Sequence, residues 1–299
     1  MDILFWIIIV IAVICIWVSA FDTNRFTVSH YDMEDERIVK PLRAVFLSDL
    51  HCKMYGLDGT FLLEKIKEIG PDIVLIGGDM ITAYPGHKND KVISFLGQLS
   101  DAFTIIYAYG NHELRLSLYP EEYGDAWDRY VSGLSGKNIT VKDNETVHLE
   151  EYGIDVFCFS ADRDFYKRMT KTEMPASYIE EKLGNPDPSS YSILLAHDPS
   201  YFDTYEQYGA DLTLSGHVHG GIMRLPLPSF CEESGKTVIR MRGVLSPACT
   251  LFPKYDSGYF TKNGKKIIIS RGLGTHTLPI RIFNPGDLIV IDFKPSDLV

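Results

Sequence analysis

Apolar runs separated by short polar clusters predict most of this chain's elements. Residues 44–47, 73–76, 103–109, 192–196 and 211–215 are short, largely apolar runs bounded by Gly, Pro or polar residues, the mark of buried strands. Between the first two, residues 60–69 place Phe61, Leu62, Ile66 and Ile69 at helical spacing and stop at Gly70-Pro71. Residues 92–99 and 123–134 also predict helices. Strand, polar loop and helix in repeated succession argue for α/β layers with chemistry at the C-terminal ends of the strands.

The pattern then changes. Residues 140–149 and 154–159 predict strands meeting at Tyr152-Gly153, 174–183 a helix, and 184–188 a loop. Residues 225–250, with Pro, Ser and Gly, predict a long surface excursion. Asn263-Gly264 between the strand-like stretches 258–261 and 267–269 predicts a two-residue hairpin, and 288–293 closes the chain as a strand.

Residues 3–21 are 19 consecutive uncharged, mostly apolar positions. At about 1.5 Å per residue, such a helix nearly spans a hydrocarbon core of about 30 Å. Val18-Ser19-Ala20 resembles a signal-peptide cleavage site. The run is nevertheless longer than a signal peptide's apolar region, and no Lys or Arg precedes it, which favours an uncleaved anchor. The expected organisation is an anchor or signal sequence at 1–21, a linker or peripheral strand at 22–42, and one domain over 43–299. Arg25, Arg37, Lys40 and Arg43 follow the run and vote for the cytoplasmic face, but whole domains translocate largely regardless of charge. The expectation is a single-pass protein of the cell membrane with an extracytoplasmic domain, the cytoplasmic face being the alternative.

Composition narrows the class. Hydrophobic residues make up 45% of the 299 positions, including 16 Phe and 17 Tyr, enough for a packed core. A net charge of -11 disfavours nucleic acid binding through a basic face. Of five cysteines, Cys15 lies in the apolar run, and Cys52, Cys158, Cys231 and Cys249 form no CxxC pair, so zinc-ribbon and dithiol chemistry are disfavoured. Disulfides and reduced thiols both stay open.

Five separated loops each follow an apolar run and each carry metal-ligand side chains. They hold Asp49 with His51, Asp79 after Gly77-Gly78, Asn111 with His112, His197, and His217 with His219. Five of the chain's nine histidines lie in them; His30, His87, His148 and His276 have no such context. Singly, each motif fits a turn, a helix cap or a structural histidine. His217-x-His219 says more, because alternate residues on an extended segment share a face. The ordered set together points to a metal centre. Carboxylate, amide and imidazole donors suit Mn, Fe or Zn better than a purely oxygen-seeking ion.

Ser48-Asp49-Leu50-His51, Gly78-Asp79, Gly110-Asn111-His112-Glu113, His197 and Gly216-His217-Val218-His219 resemble the calcineurin-like metallophosphoesterase superfamily. Within it the chain is most similar to a bacterial membrane-associated branch, through His219-Gly220-Gly221, Pro253-Lys254-Tyr255-Asp256-Ser257-Gly258, Ser270-Arg271-Gly272-Leu273-Gly274-Thr275 and Leu278-Pro279-Ile280-Arg281. Ile222 departs from that branch, which commonly carries Gln there.

The resemblance implies a four-layer α-β-β-α sandwich behind an N-terminal transmembrane helix. It implies two divalent ions, with Asp49, His51 and His219 holding one, Asn111, His197 and His217 the other, and Asp79 between them. His112 would protonate the leaving oxygen or steady the phosphoryl oxygens, and Glu113 would orient His112 or serve elsewhere. The implied activity is hydrolysis of a phosphodiester or pyrophosphate by a metal-bridging hydroxide. The anchor suggests a substrate at the membrane, and a lipid-linked compound such as UDP-diacylglucosamine is one candidate. The alternative is a non-catalytic, membrane-tethered metal-binding module of the same fold, with protein phosphatase activity disfavoured.

Overall fold

The computed structural model describes residues 3–167, 172–231, 236–246, 250–275 and 278–296, without the side chains of 229–238. His276, Cys249 and the Cys231 side chain lie outside this set. In chain order the elements are α1 (Ile3–Thr23), β1 (Phe26–Asp35), β2 (Leu42–Leu47), α2 (Thr60–Ile69), β3 (Ile73–Ile76), α3 (Asp90–Ser100), β4 (Thr104–Ala108), α4 (Asn111–Leu118), α5 (Pro120–Tyr123), α6 (Ala126–Leu134), β5 (Ile139–Lys142), β6 (Glu145–Leu149) and β7 (Ile154–Phe159). They continue with α7 (Ala176–Leu183), β8 (Tyr191–Ala196), α8 (Phe202–Tyr208), β9 (Leu212–Ser215), β10 (Arg224–Cys231), β11 (Lys236–Gly243), β12 (Gly258–Lys262), β13 (Lys265–Ile269) and β14 (Gly286–Pro295).

Two six-stranded sheets result, ordered β1-β14-β2-β3-β4-β5 and β12-β13-β9-β8-β7-β6. Strands β2 to β5 are parallel in the first, and β7, β8, β9 and β13 in the second. Phe46, Leu75 and Ile106 of the first sheet pack against Val156, Ile193, Leu212 and Ile268 of the second. The first sheet's other face buries Leu62, Ile66, Phe95 and Tyr130 of α2, α3 and α6, and the second's buries Ile179, Phe202 and Tyr205 of α7 and α8. The architecture is therefore the four-layer α-β-β-α sandwich, with strands covered on both faces, as their unbroken apolar runs require.

Some elements differ from expectation. The single strand expected over 140–149 divides at Asp143-Asn144, where Asn144 takes a left-handed φ of 55°. β5 therefore joins the edge of the first sheet while β6 joins the edge of the second. Residues 225–250 contain the antiparallel hairpin β10–β11 rather than only irregular chain. Helix α6 starts later than expected, because Gly124 at φ 63° ends α5 before it. Residues 26–35, in the segment read as linker or peripheral strand, form the edge strand β1 and pair in parallel with β14.

Helix α1 is long and apolar enough to cross a membrane, and its apolar side chains are largely exposed. At the N-terminal ends of the strands, Arg37 reaches from the first sheet to the second. It pairs with Asp35 at 2.6 Å and Asp211 at 3.1 Å and donates to the Ser190 carbonyl.

Candidate metal centre

Every candidate ligand sits just beyond a strand's C-terminal end. Asp49 and His51 follow β2, Asp79 follows β3, Asn111 follows β4, His197 follows β8, and His217 and His219 follow β9. Three donors come from loops of the second sheet and four from the first, so the site straddles the seam between sheets. Two glycines let the loops close up. Gly78 has φ 92°, and a Cβ there would collide with the backbone of Gly110. A Cβ on Gly216 would collide with the Asp49 carboxylate and the Ser48 hydroxyl.

The donors form overlapping groups. Asp49, His51 and His219 offer ligand atoms within 4.8 Å of one another, as do Asp79, His197 and His217, and as do His51, Asp79 and His112. His51 Nε2 lies 3.2 Å from His219 Nε2, and His219 Nε2 lies 3.3 Å from Asp49 Oδ1. Asp79 Oδ2 lies 3.1 Å from His197 Nε2 and 3.8 Å from His51 Nε2, between the first two groups. Asn111 presents a buried side-chain oxygen with no hydrogen-bond partner. The structure thus brings together six of the seven candidate ligands and His112, and Asn111 precedes His112, whose N–H donates to Asp79 Oδ1 at 2.8 Å.

Hydrogen bonds behind these donors fix their orientation. His197 Nδ1 donates to the Gly77 carbonyl at 2.7 Å, and His219 Nδ1 donates to the Gly274 carbonyl at 3.2 Å. Each leaves its Nε2 lone pair for a cation, the usual arrangement of a ligating imidazole. His112 is wired the other way. Its Nδ1 accepts the Ala83 N–H at 2.8 Å, so the neutral ring carries its proton on Nε2, 3.9 Å from Asp79 Oδ2. It is placed to give a proton rather than a lone pair.

The field of the site favours positive charge. Burial pushes the His197 imidazole down, but Asp79 and Asp49 outweigh it and raise its pKa to about 10. Burial pushes the Asp79 carboxyl up, yet His197 and His112 hold it well below the usual carboxylate range. His51 is lowered well below its usual value by burial, against the pull of Asp79, so it stands neutral. With the unpartnered Asn111 oxygen and two imidazoles turned for ligation, this donor set fits divalent cations of the Mn, Fe or Zn kind.

The histidine pair does not lie on an extended segment. His217 and His219 have φ of 65° and 52°, and this bend sends them to different groups. Glu113 is fully buried, and its carboxylate is engaged by the Asp79 loop. It accepts the N–H groups of Asp79, Met80 and Gly110 at 2.8, 3.0 and 3.0 Å and the Tyr107 hydroxyl at 2.5 Å. Burial and then Asp79 push its carboxyl up to about 7. Arg281 and Asn284 are supports that sequence reasoning missed. Buried Arg281 donates to the carbonyls of Arg271, Gly272 and Gly274, and the Asn284 amide donates to those of His219 and Gly221 at 2.8 and 2.5 Å.

A family model described as calcineurin-like phosphoesterase matches residues 42–221, more than half of the chain. An uncharacterized metallophosphoesterase of Helicobacter pylori (strain J99) is 27% identical over 269 residues, 88% of this chain and 62% of that protein. The chain thus spans under two thirds of that relative's length. An uncharacterized metallophosphoesterase of Aquifex aeolicus is 26% identical, covering 92% of this chain and 95% of its own. The UDP-2,3-diacylglucosamine pyrophosphatase LpxG of Chlamydia muridarum is 22% identical, covering 92% of each chain.

Proposed function

Because this chain belongs to the calcineurin-like phosphoesterase family, we propose that it is a phosphoester hydrolase that would work with two divalent cations sharing Asp79 and cleave phosphodiester or pyrophosphate bonds. In this reading Asp49, His51 and His219 would hold one cation, and Asn111, His197 and His217 the other. The observation that carries it is the position of Asp79 Oδ2, 3.1 Å from His197 Nε2 and 3.8 Å from His51 Nε2. When bound, such a pair supplies Lewis-acid stabilisation of phosphoryl charge and a water acidified towards neutral pH. The chain's own residues do the rest. Asp79 links the two donor groups, Glu113 holds the Asp79 loop, and His112 donates its Nε2 proton to the departing oxygen. The LpxG relative and helix α1 together support a lipid-linked substrate.

The test is Asp79→Asn, with metal content measured per chain and turnover followed on bis(4-nitrophenyl) phosphate with Mn. Loss of charge stabilisation of about 4 kcal/mol predicts a rate lower by roughly a thousandfold, with less than the wild type's metal. Wild-type turnover in this variant would overturn the shared-carboxylate reading.

A further inference from the structure

The C-terminal end of α1 does not hang free of the body. It is seated on the strap formed by residues 278–286. The Ser19 hydroxyl accepts the Arg281 N–H at 3.3 Å, buried Asp22 accepts the Asn284 N–H at 2.9 Å, and Gly286 N–H donates to the Arg25 carbonyl at 3.1 Å. The strap is in turn bonded to the chain that leaves His219. Ile282 N–H donates to the Ile222 carbonyl, Ile222 N–H to Leu245, and Phe252 N–H to Val244. Residues 222–224, 244–246, 250–252 and 278–284 therefore make one backbone-linked surface, continuous with the helix end on one side and with the metal centre on the other.

That surface is apolar where charge would be expected. Leu251, Phe252, Leu278, Ile280 and Phe283 are exposed, Leu251 to 66% and Leu278 to 56%. Phe252 and Phe283 stand out at φ of 48° and 53°, a backbone region that bulky side chains rarely occupy. Arg25 and Lys53 flank the helix end, bonded to Asp22 and Asn24. A spanning helix leaves the bilayer at its end, so whatever is bonded to that end lies at headgroup depth, where apolar side chains enter and basic ones meet phosphates. A lipid surface is thus the occupant this patch fits.

We infer that residues 251–252 and 278–283 seat the domain on the bilayer beside its anchor and bring the metal centre to phosphoryl groups carried at the lipid surface. The substrate clause rests on the function proposed above; the seating does not. The experiment uses the full chain in phosphatidylethanolamine–phosphatidylglycerol vesicles. On a Trp6→Phe, Trp17→Phe background, Phe252→Trp and Phe283→Trp each report insertion through quenching by lipids brominated near the headgroup. Trp127 of α6, packed on Tyr109, is the unquenched reference. Both new tryptophans should lose emission in brominated vesicles. If neither is quenched beyond Trp127, the seating surface is wrong, whether the patch then proves to bind a protein or nothing.

The second arm compares Leu278→Ser, Phe283→Asn with wild type on UDP-2,3-diacylglucosamine in vesicles and on bis(4-nitrophenyl) phosphate in detergent. The vesicle rate should fall about tenfold while the soluble rate stays within about twofold, since only interfacial binding is weakened. An equal fall on both would overturn delivery from the lipid surface. Quenched probes in a chain that hydrolyses neither compound would end the functional reading and leave the seating intact.

Discussion

Glu113→Gln should loosen the centre without removing any proposed ligand. Four hydrogen bonds converge on the two Glu113 oxygens: Asp79 and Gly110 N–H on Oε2, Met80 N–H and the Tyr107 hydroxyl on Oε1. A glutamine that keeps its oxygen at the Oε2 position must place NH2 at the other. Tyr107 can then reverse, accepting from the amide and donating to Tyr130, 3.0 Å away. Met80 N–H cannot reverse. One buried backbone donor is orphaned at about 1–3 kcal/mol, and above a pH of about 7, where Glu113 is ionised, the remaining bonds also lose their charge assistance. The sum is about 3 kcal/mol, or roughly 6–12 °C in the melting temperature of a domain this size. Because Glu113 fixes the Asp79 amide, Mn affinity should also weaken by about 10–100-fold. Thermal melts of chelated protein and Mn titrations of activity read the two effects separately. A variant melting within about 1 °C of wild type, with unchanged Mn dependence, would show that Glu113 does not organise the loops.

His112→Gln should lower turnover of alkyl phosphodiesters by about 10²–10⁴ with metal content unchanged, and far less on nitrophenyl esters, which need no leaving-group proton; equal losses would assign it to charge stabilisation instead. Asp211→Asn should cost about 1–2 kcal/mol of stability near neutral pH, because it weakens the bonds to Arg37, Lys265 and Ser192. Burial pushes the Asp211 carboxyl up, but the Ser192 N–H and then Lys265 outweigh it and lower its folded pKa below the unfolded value of about 3.9. The contribution is therefore present above about pH 4 and lost as pH falls through the folded value, so denaturant melts of variant and wild type should converge in acid. Chelation should lower the melting temperature, by about 4 kcal/mol of stabilisation per cation held at a thousandfold excess over Kd; melts with and without Mn measure it.

The candidate ligand set was legible because each member follows an apolar run that ends abruptly, and β2, β3, β4, β8 and β9 could be placed from those runs alone. The supports were not, because they act across distance. Nothing near Asn284 in the chain announces a bond to His219, 65 residues away, or to Asp22, 262 residues away. Glu113 reads as one more helix-start carboxylate until Met80 and Tyr107 are seen to meet it. The switch of sheets at Asp143-Asn144 was invisible to alternation, since β5 and β6 carry the same strand-like residues and only the left-handed turn separates them.

Backbone strain joins the two functional surfaces in one physical account. Among the described residues, eleven non-glycine positions have positive φ, and five of them are proposed ligands: Asp49, His51, Asp79, His217 and His219. A strand ending in the ordinary β region would carry its next side chains along the sheet. A left-handed residue turns them across the seam toward the opposite sheet. Asp and His tolerate that region better than most residues, so each costs nearer 1 than 3 kcal/mol. The bonds Asp49 N–H to Gly78, His51 N–H to Asp79 and Gly274 N–H to Asp49 hold the turns in place. Two further strained positions, Phe252 and Phe283, offer no ligand and leave about half of each side chain exposed, at 48% and 47%. An aromatic held outward at that expense is best accounted for by an apolar surround outside the protein, which is what the end of α1 would bring to it.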